Sequence, residues 1–222
     1  MTIDVLIPTY GRSALLGPLV ANLADVTPPD AYTLILVVDY EDEPTRAELR
    51  SLGARHLLAD GTFPEKTNAG FAASASDLVL SANDDVVFHP GWYEATVEAF
   101  EDEGIQVVGC SDMSPGTANR MHATMPTARR SYAMDPGASW DLPGQLMFEG
   151  YHHNFSETEI WRVAEARDVA GWSEAVIEHR HPVWGTREVD PTYERGGMSR
   201  SHFEADQATF LDRQRMWERV LA

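Results

Sequence analysis

Adjacent carboxylates close an apolar run in Leu78-Val79-Leu80-Ser81-Ala82-Asn83-Asp84-Asp85-Val86-Val87-Phe88, and a turn, His89-Pro90-Gly91, follows. Two like charges at close range repel unless something positive stands with them. A hard divalent cation answers that need, because it takes oxygen ligands and bridges to the phosphates of a nucleotide. A strand end emerging into solvent would tolerate the same acids, so this segment alone leaves both readings open. Two further groups carry reactive side chains. Tyr151-His152-His153-Asn154-Phe155-Ser156-Glu157-Thr158-Glu159 ends in two carboxylates, and Ser156 can cap a helix whose dipole favours them in its first turn. In Glu178-His179-Arg180-His181-Pro182 the two histidines share a face if the segment is extended, which suits a metal ligand as well as an ordinary surface pair.

The elements that must position these groups alternate in type. Asp4 to Pro8 reads as a strand, and Leu15, Leu16, Leu19, Val20 and Leu23 follow at helical spacing, with Pro18 expected to delay the helix start. Thr33 to Val38 is a continuous β-branched and leucine run, as for a strand buried on both faces, and it ends in Asp39. A helix from Glu43 to Leu52 with Pro44 in its first turn, a short strand at His56–Leu58 and a helix from Glu65 to Ser76 lead to the acidic segment. Trp92 to Phe100 reads as a helix and Ile105 to Cys110 as a strand. Such alternation implies an α/β fold with a mainly parallel sheet of right-handed βαβ units flanked by helices. Ser111 to Gly150 has no clear period; a helix from Ser156 to Arg167 and a strand from Ala175 to Glu178 follow it. Phe203, Phe210, Trp217 and Leu221 form one stripe of a C-terminal amphipathic helix, expected to pack on the domain. Residues 1–200 are read as one domain in two halves that divide at about residue 110; residues 201–222 are the helix.

In an open α/β sheet, ligands bind beyond the carboxyl ends of the strands. There the sequence puts Pro8-Thr9-Tyr10-Gly11-Arg12, then Asp39, then Asn83-Asp84-Asp85. If the strands neighbour one another, these groups converge on one crevice. The net charge of −18 sets a surface that repels nucleic acid and anionic membranes. One loop departs from it: no acid lies between Asp112 and Asp135, a stretch that carries Arg120, His122, Arg129 and Arg130 and could face a phosphate-bearing ligand. A single cysteine, Cys110, and the lack of any apolar run of membrane-spanning length point to a cytoplasmic protein without membrane insertion.

The order Val5-Leu6-Ile7-Pro8-Thr9-Tyr10-Gly11-Arg12, Val37-Val38-Asp39 and Asn83-Asp84-Asp85 with Pro90-Gly91-Trp92 resembles the GT-A glycosyltransferases, in particular the family 2-like group, over about Met1 to His181. The resemblance implies a nucleotide-binding α/β fold that uses a nucleoside diphosphate sugar, with UDP favoured, and Mn²⁺ or Mg²⁺. It implies that Pro8, Thr9, Tyr10 and Arg12 line the nucleotide site and that Asp39 meets the base. Lys66, Asn68 and Gly70 fall where the family contacts the nucleotide or diphosphate. The family's Asp-x-Asp motif falls on Asn83, Asp84 and Asp85, with Asp85 as direct metal ligand and Asn83 in place of the usual aspartate. A histidine from the His179–His181 region is expected to complete the metal site, His181 first and His179 second. Glu157 falls at the catalytic base, in preference to Glu159, ahead of Arg162. A base at a helix N-terminus is weakened by the dipole, so burial or His152 and His153 must offset that effect.

The implied reaction is metal-dependent, inverting sugar transfer to an acceptor hydroxyl on a small molecule, a protein, a glycan or a hydroxymethylated DNA base. The acidic surface argues against DNA, and the arginine-bearing loop argues for it. Trp184-Gly185-Thr186-Arg187 and Glu194-Arg195-Gly196-Gly197-Met198 are expected to form a mobile flap that excludes water, or else a linker to the last helix. Nucleotidyl transfer is the second reading, but Pro8 to Ser13 has one glycine and no lysine to cradle a triphosphate. A non-catalytic nucleotide or sugar binder is the third; it would need no base.

Overall fold

The computed structural model describes residues 1–118, 120, 122–195 and 200–221. Strand β1 (Ile3–Thr9) is buried along its whole length, and its side chains divide between two cores by the alternation of a strand. Ile3, Val5 and Ile7 enter one core with Leu16, Leu19 and Leu23 of helix α1 (Ser13–Val26). Leu6 enters the other, with Ile35 of β2 (Tyr32–Val38) and Phe71 of α3 (Phe63–Ala72). Helices therefore cover both faces of the sheet. Pro18 lies on the exposed side of α1 and does not delay its start.

Helix α2 (Glu43–Ser51) is capped by Asp42, and it leads to the short strand β3 (His56–Leu58). Helix α3 begins two residues earlier than its pattern suggests. Thr62 and Glu65 form a reciprocal capping box there and satisfy two of the free amide groups of the first turn. The acidic segment divides into β4 (Leu78–Ser81), a turn, and β5 (Val86–Phe88), which is followed by α4 (Trp92–Ala99) and β6 (Val107–Ser111). The stretch expected to be irregular contains α5 (Pro115–Ala118), β7 (Thr127–Arg129) and α6 (Arg130–Met134), elements too short to impose a period on the sequence. Helix α7 (Ser156–Ala166) leads into β8 (Ala170–His179), longer at its start than expected. A single 3-10 turn (Pro182–Trp184), α8 (Pro191–Arg195) and α9 (Arg200–Leu221) complete the described chain.

The eight strands lie in the order β3-β2-β1-β4-β7-β6-β8-β5. The first four are mutually parallel, β7 runs antiparallel to both β4 and β6, and β8 runs parallel to β6. Two reversals restore direction, so β1, β2, β4, β6 and β8 all end at one edge of the sheet. Antiparallel β5 starts there, with Val86 opposite His179. That register sets Asp85 beside the end of β8, a juxtaposition of residues 94 positions apart. Helix α9 rests on α7 through Phe210 and Trp217, which meet Tyr151 and Val163. The apolar stripe is buried only at its centre: Phe203 and Leu221 remain 44% and 42% exposed. Among the described residues no helix is long and apolar enough to cross a membrane.

Candidate active site

A cavity of about 410 Å³ opens at the shared strand edge. It is lined by Pro8, Thr9, Tyr10 and Arg12 after β1, Asp39 after β2, Lys66 on α3, Asn83, Asp84 and Asp85 after β4, and His179 and His181 at the end of β8. Eleven of the thirteen side chains singled out in the sequence thus meet around one space. Asn68 does not line it. Its amide donates to the Met147 carbonyl and to Glu149, both at 2.9 Å, and accepts from the Leu146 and Met147 amides, clamping that buried loop. Gly70 packs under the sheet, where an added methyl would meet Val37 and Leu6. Glu157 lies outside the lining as well, whereas His152 and His153 belong to it.

Gly11 turns the chain after β1 with φ +64°, a conformation suited to glycine, and its amide donates to Asp42 at 2.6 Å. The turn brings Arg12 back over the acidic pair. Its guanidinium lies 2.6 Å from Asp84, 3.3 Å from Asp85 and 3.0 Å from Asp190. Thr9 also donates to Asp84, at 2.8 Å. The two carboxylates separate electrostatically. Burial pushes Asp84 up, against the pull of Arg12 and with the help of its charged neighbour. At Asp85 burial acts in the same sense but is outweighed by His179, Tyr193 and Arg12, which hold it well below the usual carboxylate range. Asp85 is the member of the pair whose ionised form is the more strongly held.

The second oxygen of Asp85, Oδ1, is buried and stands 3.1 Å from Nε2 of His179, and among the described residues it has no well-aligned hydrogen bond. A buried carboxylate lone pair next to an imidazole nitrogen fits a divalent cation held by one oxygen and one nitrogen ligand. His181 sits one ring further out. It lies 5.0 Å from His179 between ring centroids, and its Nδ1 accepts from the Val183 amide at 3.2 Å. Burial, and then the neighbouring His179, lowers its pKa. Elsewhere in the lining, Lys66 bonds Asp39 and also donates to the Thr9 carbonyl at 3.2 Å. This fixes a carboxylate as hydrogen-bond acceptor in the cavity.

The two glutamates at the start of α7 have different surroundings. Glu159 is fully buried and engaged on every side: Arg213 of α9 bonds both its oxygens at 2.7 Å, the Tyr151 hydroxyl donates at 2.7 Å and the Trp140 amide at 3.0 Å. It ties α9 to the domain. Replacing Glu159 by Gln is expected to cost about 3–5 kcal/mol, since it leaves a mostly buried guanidinium without its counter-charge. Chemical denaturation would detect this as a lower midpoint. Among the described residues Glu157 has no cationic partner of that kind. It keeps some exposed surface but is densely surrounded, and burial pushes its carboxyl up to about 7. Ser156 does not cap the helix: Phe155 holds the cap position with φ +68°, and the Ser156 hydroxyl bonds the His153 carbonyl and Glu157, both at 2.9 Å.

Several lining groups carry little signal in the sequence. Asp190 caps the five-residue helix α8 by accepting from the Thr192 amide at 2.9 Å, and Asp190-Pro191 is the one local cue to this helix. Helix α8 carries Thr192, whose hydroxyl donates to the Tyr10 carbonyl at 3.0 Å, and Tyr193, whose hydroxyl bonds Asp85. The Tyr193 ring lies 4.4 Å from the Arg12 guanidinium and 5.1 Å from the His181 ring. Arg187 of the expected flap approaches Asp85 to 3.5 Å and bonds Asp190. The flap segment therefore touches the acidic pair directly; Gly196, Gly197 and Met198 lie outside the described residues. The arginine-bearing loop corrects an expectation. Because β7 runs antiparallel, Arg129 and Arg130 fall at the far edge of the sheet, on the Phe100 and Ile105 carbonyls and on Ser74, while Arg120 pairs with Glu174. The loop does not gather these arginines at the cavity.

Residues 4–148 match the family described as glycosyl transferase family 2, and the chain belongs to that family. It is a nucleotide-sugar glycosyltransferase of the GT-A fold, which sets aside nucleotidyl transfer and a purely binding role. Among solved structures it is similar to glucosyl-3-phosphoglycerate synthase from Mycobacterium tuberculosis in complex with Mn²⁺, UDP and glucosyl-3-phosphoglycerate, with 19% identity, a TM-score of 0.66, and coverage of 96% of this chain and 79% of that one. It is also similar to TarS from S. aureus (12% identity, TM-score 0.62, 81% and 60% covered). The mannosyltransferase PcManGT from Pyrobaculum calidifontis, in complex with GDP-Man and Mn²⁺, is another (12% identity, TM-score 0.60, 78% and 56% covered). A search of curated protein sequences finds no match.

Proposed function

We propose that this enzyme transfers a sugar from a UDP-sugar to the hydroxyl of an acceptor, with inversion, using Mn²⁺ or Mg²⁺ held by Asp85 and His179. The observation that carries this reading is the buried Oδ1 of Asp85 at 3.1 Å from His179 Nε2, in the lining of a cavity to which Asp39 also belongs. The imide N–H of uracil is a donor that suits the Asp39 carboxylate, whereas adenine and cytosine offer no ring N–H at that edge. The structural relatives with bound UDP and Mn²⁺ or Mg²⁺ support the same choice. When bound, the cation neutralises negative charge on the diphosphate leaving group. Arg12 and Arg187 add positive charge at the same place. Glu157, once ionised, takes the proton of the attacking hydroxyl. Residues 1–200 supply these groups, and α9 braces them. The acceptor we favour is a polyol or glycan rather than DNA, since the net charge of −18 repels nucleic acid and Arg129 and Arg130 lie at the far edge of the sheet.

Thermal unfolding with UDP, GDP, ADP and CDP, with and without Mn²⁺, tests the reading. A ligand at 100 times its Kd stabilises by about 2.7 kcal/mol. UDP with Mn²⁺ is expected to raise Tm in the wild type and to lose that effect in Asp85→Ala. No rise with any nucleotide would refute it.

A further inference from the structure

Asp206 is a buried carboxylate on α9, 1% exposed, and it faces the chain just ahead of Glu157. It accepts from three successive backbone amides: His152 at 2.8 Å, His153 at 3.0 Å and Asn154 at 2.9 Å. Nδ1 of His152 lies a further 3.0 Å from it. Amides donating to a carboxylate form charge-assisted bonds, stronger than neutral ones and directional. The carbonyl of His153, held in this way, accepts from the buried Ser156 hydroxyl at 2.9 Å, and the same hydroxyl is 2.9 Å from Oε2 of Glu157. A continuous path of bonds runs from the C-terminal helix to the base.

We propose that Asp206 is the positioning residue for Glu157, acting through the backbone of residues 152–154 and the Ser156 hydroxyl. The proposal rests on Glu157 as the base. Ser156 gives the path its chemistry. Its hydroxyl has one proton, so it donates either to the His153 carbonyl or to Glu157. With Glu157 protonated, the carboxyl can donate to Ser156 and Ser156 to His153. When Glu157 is ionised, Ser156 turns to donate to it. The hydroxyl follows the charge of the base, and Asp206 fixes the carbonyl that forms its other partner. The remaining titratable groups that act on Glu157 are His179 from β8 and Asp206 itself from α9.

Two measurements on the intact protein without added metal test this. Hydrogen exchange reads the amides of residues 152–154. Carbon NMR of protein labelled at the glutamate carboxyl reads Glu157, identified by the signal missing from Glu157→Gln. In the wild type the Glu157 midpoint is expected at about 7. Asp206→Asn is expected to speed exchange at residues 152–154 at least tenfold and to lower the midpoint by half a pH unit or more as water reaches the carboxyl. Ser156→Ala is expected to raise the midpoint, because the ionised form loses its donor. The charge of Asp206 by itself also raises Glu157, so the double variant decides between path and charge. Midpoint shifts that fail to add mark action through Ser156; additive shifts, the sign of a through-space charge effect, would overturn the proposal. Faster exchange with an unchanged midpoint would overturn the proposal, as would unchanged exchange. If Asp206→Asn does not fold, Ser156→Ala decides: an unchanged midpoint refutes the path. Full sugar transfer by Glu157→Gln would instead refute the base assignment, while the NMR midpoints would still answer for Asp206.

Discussion

Glu157→Gln is expected to slow sugar transfer by roughly 100- to 10,000-fold, the range for loss of a general base, while binding of UDP with Mn²⁺ stays within about twofold. The split follows from the geometry. Glu157 is outside the residues that line the donor cavity, so the amide should not disturb the nucleotide. Gln is close to Glu in size and can still accept from Ser156, so the first turn of α7 keeps its bonds. What is lost is the ability to take a proton. Assaying both glutamates separates chemistry from architecture, because Glu159 is bound to Arg213, Tyr151 and Trp140 and its loss should lower stability first.

The pH dependence of the wild type carries the same information with a definite sign. A base works only when ionised, and burial raises Glu157 to about 7. The rate of transfer should therefore rise with pH, nearly tenfold per unit well below 7, and level off above it. His153 does not complicate the profile in this range, since burial lowers it to about 4 and leaves it neutral. A rate that is flat from pH 5.5 to 8.5 would count against Glu157. In Glu157→Gln the dependence should vanish along with most of the rate.

The parallel half of the sheet could be read from sequence because β1 is buried along its length and β2 along its second half, so that Val5 to Ile7 and Leu34 to Val38 appear as apolar runs. The convergence of Thr9, Asp39 and Asp85 follows from that arrangement, since parallel strands end at one edge. What escaped was set by antiparallel pairing. The reversal at β7 carries Arg129 and Arg130 away from the site, and three residues of strand leave too little pattern to reveal direction. The order of the two histidines was beyond reach for a related reason. A shared face is a property of spacing, but the register of β5 on β8 decides that His179, and not His181, stands beside Asp85. Asn68 shows the limit of reading by position. Its place in α3 fits a ligand contact, but its amide is engaged with the 146–149 loop, far away in sequence. Tyr193 reaches Asp85 from a helix of five residues, and Asp190, which caps that helix, reaches Arg12; so short a helix has no hydrophobic period.

Arg12→Met is expected to destabilise the enzyme by about 3–5 kcal/mol, the cost of breaking a buried ion pair by removing one partner. For a chain of this size that is a fall in Tm of roughly 6–20 °C. The loss should exceed that of any surface ion pair here, because Arg12 serves Asp84 and Asp85 together and both are almost fully buried. Met reaches only about as far as the Arg Nε, so the deficit includes the 4.4 Å contact of the guanidinium with the Tyr193 ring as well as the charge. Its pH dependence has a fixed sign. Asp85 is held well below its ordinary value despite burial, by His179, Tyr193 and Arg12, so its ionised form adds stability above about pH 4 that is lost as pH falls through the depressed value. Removing Arg12 removes part of that contribution. The gap between wild type and variant should thus be largest near neutrality and narrow in acid, where the carboxyls can protonate. A double-mutant cycle with Asp84→Asn completes the argument. If Arg12 acts mainly by compensating the buried pair, removing one of the two negative charges should restore part of the stability lost in Arg12→Met, a coupling of at least 1 kcal/mol. Additive losses would mean that Arg12 stabilises the fold through its bond to Asp190 in the flap segment, and not through the carboxylates proposed to hold the cation.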